Sequence, residues 1–289
     1  MPKLAEALDS GRFAVTSELV PPKGVDLEPL FAKADSLKDS VDAFNITDSH
    51  SARMCISPLA VSHLLLDRGV EPILQMTTRD RNRIALQSDL LGAAALGIPN
   101  VVVMGGDPPK SGDHPDAKPV FDLFASQLIS AANGMRDGHD MNGNELAGKA
   151  EFCLGAVVNP GTSDLPTEIM RMGEKADAGA RFFQTQAVYD PAAFERFADE
   201  LAKENRNTAV LAGIILLKSE KMAKYMNDHV PGVDIPDALV EEIATAEDRK
   251  RAAVDIAVRT IEAIEPMCQG VHLMAIGWED LIPEVAARI

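Results

Sequence analysis

Two carboxylates and a group of amides stand in this chain where a proton-transfer site would need them. Glu18 lies in Val15-Thr16-Ser17-Glu18-Leu19-Val20-Pro21-Pro22, a strand-like run whose alternation turns the charged side chain inward. An inward glutamate is costly unless it is paired or keeps its proton. Burial favours the protonated form, which suits a general acid near neutral pH. An ion pair with an arginine across the site is the competing reading, and the sequence leaves both open. Asp107 follows the apolar run Asn100-Val-Val-Val-Met and the pair Gly105-Gly106, and Pro108-Pro109 stiffens the chain beyond it. Glycines at that point let a flat ligand lie against the main chain. The plainer alternative is a strand, a turn and a solvated aspartate.

Such residues need a scaffold that brings separate strand ends together. Strand-like segments begin at Phe13–Val20, Val41–Asp48, Val70–Thr77 and Asn100–Met104. They continue at Glu151–Val158, Ala180–Gln186, Thr208–Leu216 and Gly270–Ile276. Helical patterns fall between them, at Leu27–Leu37, Pro58–Asp67, Arg81–Leu96, Leu123–Met135, Glu168–Ala178, Pro191–Glu204 and Ser219–Met226. A further pattern, Pro236–Ile264, is long enough for two helices, and Asp164 or Ser163 is the expected cap before Glu168. Eight parallel strands with intervening helices predict an α/β fold: one (β/α)8 TIM barrel over residues 1–289. An open doubly wound sheet would want a glycine-rich phosphate turn after the first strand, where Glu18-Leu-Val-Pro-Pro stands instead.

In a barrel the strand ends converge on one mouth. The rim would then hold Glu18, Thr47, Asp48, His50, Gln75, Thr77, Asp80, Asp107, Asn159, Gln184, Thr185, Gln186 and His272. Carboxylates, amides and hydroxyls dominate it, which suits hydrogen bonding to a polar heterocycle. His50 and His272 come from different strands without metal-ligand spacing, so no metal is expected. The polar excursion Pro108–Pro119 reads as a functional loop.

Composition narrows the class. The chain is 46% hydrophobic and 25% charged, as in ordinary globular domains, and carries a net charge of −16. That charge argues against nucleic-acid or anionic-membrane partners, and an anionic substrate would need a local cluster of basic residues. Cys55, Cys153 and Cys268 are few, scattered and odd in number, the pattern of small buried hydrophobes in a reducing compartment. No apolar run reaches membrane-spanning length and the N-terminus lacks a signal pattern, so a cytoplasmic location is expected.

Several motifs in order carry a resemblance. Thr16-Ser-Glu-Leu-Val-Pro-Pro, Asn45-Ile-Thr-Asp, Val103-Met-Gly-Gly-Asp-Pro-Pro, Lys175-Ala-Asp-Ala-Gly-Ala and Thr185-Gln-Ala-Val-Tyr-Asp resemble the 5,10-methylenetetrahydrofolate reductase family. Thr77-Thr-Arg-Asp-Arg-Asn-Arg and Gln87-Ser-Asp-Leu-Leu-Gly resemble its branch in anaerobic one-carbon pathways. The resemblance runs from about Phe13 to the last strand and covers a catalytic barrel without the regulatory domain of some relatives. It implies reduction of 5,10-methylenetetrahydrofolate to 5-methyltetrahydrofolate, or the reverse oxidation, through a flavin and with NADH or NADPH. FAD is the implied flavin, with FMN or weak flavin binding as alternatives. By motif position Glu18 would be the general acid, and Asp107 would lie beside flavin and pterin. Gln186, with Gln184 and Tyr189, would contact the folate. Thr47, Asp48, Gln75, Thr77, Gly105, Gly106, Asn159 and Lys175 would contact the flavin, Lys175 by its charge near phosphate or ribose.

The chain also departs from the family pattern. Gly105 stands where bacterial relatives have an arginine, Gln75 where they have a histidine, and Val157 or a neighbour where they have a tyrosine. Leu216–Ser219 differs from the loop that carries an aromatic over the bound ring. Arg79, Arg81 or Arg83 would supply the missing charge, or else would line a solvated helix face. The alternative function is a flavin-free folate-binding barrel in methyl transfer, or a subunit of a larger one-carbon complex. A homo-oligomer is expected, with a partner subunit as the alternative.

Overall fold

The computed structural model describes residues 2–206 and 208–289. Eight parallel strands close in chain order into one barrel. They are β1 (Ala14–Leu19), β2 (Ala43–Ile46), β3 (Pro72–Thr77), β4 (Asn100–Met104), β5 (Cys153–Val158), β6 (Phe182–Ala187), β7 (Ala209–Ile215) and β8 (Gly270–Met274). The (β/α)8 architecture read from the sequence is the one observed. Helices α1 (Lys3–Ser10), α2 (Glu28–Leu37), α3 (Pro58–Leu66), α4 (Arg83–Ala95), α5 (Ala125–Arg136) and α6 (Leu165–Asp177) cover the first half. Helices α7 (Pro191–Lys203), α8 (Glu220–His229), α9 (Asp237–Thr245), α10 (Arg249–Ile264) and α11 (Ile282–Ala286) complete the set. The Pro236–Ile264 stretch divides at Ala246, whose extended backbone ends α9, and Asp248 caps α10 by accepting from Arg251 N at 3.0 Å. Asp164, one of the two expected caps, accepts from Thr167 N at 3.3 Å.

Alternation along the strands builds two separate cores. Outward residues such as Phe44, Leu74, Val101, Val103, Ala156, Phe183, Ala212 and Leu273 pack under the helices. Helix α10 answers them with Val254, Ala257, Val258, Ile261 and Ile264, one face at helical spacing. Inward residues Ala14, Ala43, Ile73, Val102, Cys153, Phe182 and Leu211 fill the barrel floor together with Leu4, Ala5 and Ala7 of α1. That first helix is a plug, a role its sequence did not announce. Glu71, just before β3, holds it in place: its carboxylate accepts from Lys3 N at 2.5 Å and Leu4 N at 3.1 Å, and from Asn100 Nδ2 at 2.8 Å. A carboxylate on free N–H groups at a helix start is favourable both as a hydrogen bond and against the helix dipole.

Cys153 and Cys268 are buried and form no disulfide among the described residues, and burial pushes both thiols up to about 11. Cys55 is only half-buried, unlike the expectation for all three, because it lies on the loop after β2. No helix of the described residues is long and apolar enough to cross a membrane.

Phe182 is the keystone of the floor. It is fully buried, and its ring occupies the space that a side chain at Gly155 would need, 2.4 Å from the position of a Cβ there. Phe182→Ala is expected to lower stability by about 3–5 kcal/mol through lost burial and a residual cavity. Urea unfolding followed by circular dichroism measures this, and a change below about 1 kcal/mol would show that the floor is not packed around this ring.

Candidate functional site at the strand ends

Glu18 shares its parity on β1 with Ala14, a floor residue, so it points into the barrel two layers above the plug. In register it stands beside Asn45 of β2. Its carboxyl has neither an ion pair nor a hydrogen bond among the described residues, so the arginine of the competing reading is not there. Its proton affinity is raised, first by burial, with Glu279 adding to the effect and His50 opposing it. A carboxyl in this setting keeps its proton further toward neutrality than an exposed one, as a general acid requires.

Directly beneath lies a buried polar rung. Asn45 Nδ2 donates to Gln184 Oε1 at 2.6 Å, and Gln184 Nε2 returns a bond to Asn45 Oδ1 at 3.0 Å. His272 Nδ1 sits 3.0 Å from Thr16 Oγ1 and 3.4 Å from Gln184 Nε2. Burial pulls the imidazole down to about 4, so it is neutral at physiological pH. Gln184 and His272 were expected on the rim; the structure places both one layer lower. Gln184 cannot greet a ligand as expected, because both ends of its amide are held inside the protein.

The wall from β2 to β4 is tied by Asp48. Its Oδ2 accepts from Thr77 N at 2.8 Å and Thr77 Oγ1 at 3.0 Å, and it pairs with the Arg81 guanidinium. Arg81 also bonds Asp89 at 2.8 Å. The Thr47 hydroxyl is buried without a partner among the described residues. Gln75 is half-buried and makes no side-chain hydrogen bond among them. Gly105 is exposed with open space where a Cβ would be, whereas Gly106 has φ 89° and would place a Cβ 3.0 Å from Thr77. Asp107 is exposed beside them, and only its carbonyl is engaged, by Arg79 Nη1 at 3.2 Å. The main chain at Gly105 is therefore open, with a carboxylate beside it that has no partner among the described residues.

Arg79 does not lie on a solvated helix face: it is 2% exposed, pairs with Asp80 at 2.6 Å and donates to the Ser49 carbonyl at 3.4 Å. Arg83 does lie on the exposed surface, paired with Asp122 at 2.8 Å. The excursion after β4 folds back over this side. Asp113 accepts from Met54 N at 3.0 Å and pairs with Lys23, while Val120 N and Phe121 N donate to the carbonyls of Arg79 and Thr78. A cleft of about 360 Å3 opens there, lined in part by Ser49, Ala52, Arg79, Asp80 and His114. Ser49, Ser51, Ala52 and Phe121 all take left-handed φ between 43° and 55°, a strain that the interlocked loops sustain.

On the opposite wall, β6 carries a register break between Gln184 and Ala187 that sets Gln186 at the strand end. Gln186 Oε1 accepts from Ala187 N at 3.0 Å, and its Nε2 makes no hydrogen bond among the described residues. Tyr189 is not brought to the mouth. It lies in an apolar cluster with Leu217, Met226 and Ile235, and its hydroxyl donates to the Ile215 carbonyl at 2.9 Å. Asn159 binds the Pro231 carbonyl at 3.3 Å and Gly161 N at 3.2 Å, which ties two loops together. Lys175, in the last turn of α6, donates to the Val157 carbonyl at 2.7 Å, and burial lowers its proton affinity.

For a bound flavin these features divide. The Gly105–Gly106 wall and the unpartnered Gln75 suit a flat polar ring. The diphosphate of a dinucleotide needs cations, but Arg79, Arg81 and Arg83 are each paired with an aspartate and Lys175 donates to the Val157 carbonyl. The expected flavin contacts do not fit a dinucleotide as a set. A further cleft of about 660 Å3, lined by Pro160, Asp190, Arg196 and Lys203 among others, contains none of the expected site residues. Glu279, from the segment beyond β8, adds to the raised proton affinity of Glu18, although no motif marks it. Its only signal in the sequence is a carboxylate soon after the last strand end.

Comparisons with known proteins agree with one another. Methylenetetrahydrofolate reductase 2 of Schizosaccharomyces pombe is 26% identical over 202 residues, 65% of this chain and 30% of that protein. The 5,10-methylenetetrahydrofolate reductase of Escherichia coli is 25% identical over 264 residues, 88% of this chain and 82% of that protein. The chain thus spans less than a third of the fission-yeast relative's length and most of the bacterial one's. Among solved structures, a Clostridium thermocellum protein described as binding two copies of 5-methyl-5,6,7,8-tetrahydrofolic acid superposes with a TM-score of 0.67. It is 17% identical and the match covers 98% of this chain and 96% of that one, a likeness of fold. Residues 3–289 match the family profile described as methylenetetrahydrofolate reductase, and the chain belongs to that family.

Proposed function

We propose that the chain interconverts 5,10-methylenetetrahydrofolate and 5-methyltetrahydrofolate, with NADH or NADPH as the reductant in the forward direction. The observation that carries this reading is Glu18: an inward carboxyl with raised proton affinity and no ion pair among the described residues, at the mouth of a barrel of this family. Opening the one-carbon bridge needs a proton on the departing nitrogen, and leaves an iminium carbon that accepts hydride. Glu18 is the group placed to hold that proton. The methyltetrahydrofolate named for the Clostridium thermocellum protein supports a reduced folate as ligand.

Gln186 and Asp107 complete the reading. The free Nε2 of Gln186 donates, and its Oε1 keeps a lone pair, so one side chain matches the mixed donor–acceptor edge of a pterin. Asp107 offers acceptors from the facing wall. Hydride transfer requires the ring at near-attack distance, and positioning by two walls supplies that order. A flavin, FAD or FMN, belongs to this proposal only as a flat ring resting on the Gly105–Gly106 wall.

Three outcomes test the reading. Glu18→Gln should leave oxidation of NAD(P)H by an artificial acceptor intact and slow the folate half-reaction by about two orders of magnitude or more. Stopped-flow measurement of each half-reaction reads this, and an unchanged folate step would remove Glu18 from the chemistry. Gln186→Ala should weaken folate binding and slow the same half-reaction while the thermal midpoint holds. Equal losses in both half-reactions would instead make Gln186 a structural support of the β6 bulge. Titration of the protein with FAD should give a dissociation constant of about micromolar or weaker, given the committed cations. A nanomolar constant would contradict that account of the wall.

A further inference from the structure

The buried rung leaves one ring nitrogen of His272 unused, and Gln184 fixes which one. Its Oε1 already accepts from Asn45 Nδ2, so the atom facing His272 Nδ1 at 3.4 Å is Nε2, which can only donate. The Thr16 hydroxyl stands 3.0 Å from the same Nδ1. Nδ1 is therefore an acceptor. Burial keeps the ring neutral, so its single N–H proton sits on Nε2. That nitrogen makes no hydrogen bond among the described residues. It is not one of the fully enclosed polar atoms that lack a partner, so it belongs to the 4% of the residue that stays exposed.

The exposed remnant opens toward the mouth, because the other direction is filled. Below His272 on β8 lies Gly270, where Leu211 Cδ2 is 2.7 Å from the position of a Cβ, and Phe182 and Leu211 are fully buried in the floor. Level with His272 on β7 is Gly213, which offers no side chain, and on β1 is Thr16, one inward step below Glu18. The N–H thus lies between the strand of Glu18 and, past Gly213, the strand of Gln186. A donor at this depth is costly unless something accepts from it. We propose that His272 is a folate-binding residue, its Nε2–H donating to an acceptor of the pterin ring at the bottom of the mouth. The inference rests on the reading of Glu18 and Gln186 as the folate side of the site. A pterin carries a ring carbonyl and unprotonated ring nitrogens on its edge, which are the acceptors this N–H requires. A flavin has acceptors too, but the Gly105–Gly106 wall on which it would rest follows β4, across the closed barrel from β8.

The experiment is 15N NMR of histidine-labelled protein at neutral pH, where six histidines give a sparse spectrum. The His272 ring is identified by its loss in His272→Gln. Two-bond 15N–1H correlations should place the proton on Nε2, and saturating 5-methyltetrahydrofolate should shift that nitrogen and its proton. FMN in place of the folate should leave both where they were. His272→Asn keeps a polar atom near the position of Nδ1 and removes the Nε2 donor. It should weaken folate binding about tenfold or more in calorimetry, with FMN binding unchanged. His272→Gln returns an amide N–H at the reach of Nε2 and should recover much of that loss. A ring proton on Nδ1 overturns the proposal, as does Nε2 unmoved by bound folate or a response to FMN alone. A parent protein that binds no folate in calorimetry would instead overturn the reading on which the proposal rests. The spectra need no turnover, so their result stands apart from the effect of Glu18→Gln on the folate half-reaction.

Discussion

Closing eight strands into a barrel forces every second side chain into a space with little water, and the whole site follows from how that space is filled. At the floor the solution is apolar, with Phe182 set into the gap at Gly155 and α1 plugging the end. One layer up, polar groups are admitted in a mutually satisfying set: Asn45 and Gln184 exchange hydrogen bonds and His272 stays neutral beside Thr16. Buried polar groups persist only when paired, and this rung obeys that rule. Glu18, at the next layer, does not. An unpaired inward carboxyl above a saturated rung has no role in holding the barrel together, which is why the chemistry is assigned to it.

The loops around the mouth share a second property. Non-glycine residues in left-handed conformations occur after β2, in the β4 excursion and after β8, each costing on the order of 1–3 kcal/mol. All three segments are fastened from outside themselves: Asp113 to Lys23 and Met54, Phe121 to Thr78, and Ile276 to Lys218. Strain sustained by cross-loop contacts sets side chains in directions that a relaxed loop would not choose.

Membership of the family and the particulars of its site have to be kept apart. The motif positions that suggested flavin contacts are occupied by residues of suitable type, yet their polar atoms are mostly spent. Asp48 binds Thr77 and Arg81, Asn159 binds the loop at Pro231, and Lys175 binds Val157. Residue type shows what a side chain could do; its partners decide what remains free to be done. On that measure Glu18, Thr47, Gln75, Gln186 and Asp107 keep side-chain polar atoms without a partner among the described residues.

The barrel is written in local pattern, because apolar strands separated by helical stretches have one simple closed solution, and eight such units are countable along the chain. The inward direction of Glu18 is written there too, since strand parity is a local property. The end of the Pro236–Ile264 stretch as a separate capped helix is legible in Asp248 only once the break at Ala246 is seen. Packing in three dimensions settles that α1 plugs the floor, that Gln184 and His272 lie below the rim, and that Tyr189 belongs to an apolar cluster. It settles, too, that no arginine pairs with Glu18 among the described residues, a choice the sequence left open. Depth within a barrel and the choice of partner depend on strand stagger and on loops distant in sequence, and no local pattern records either.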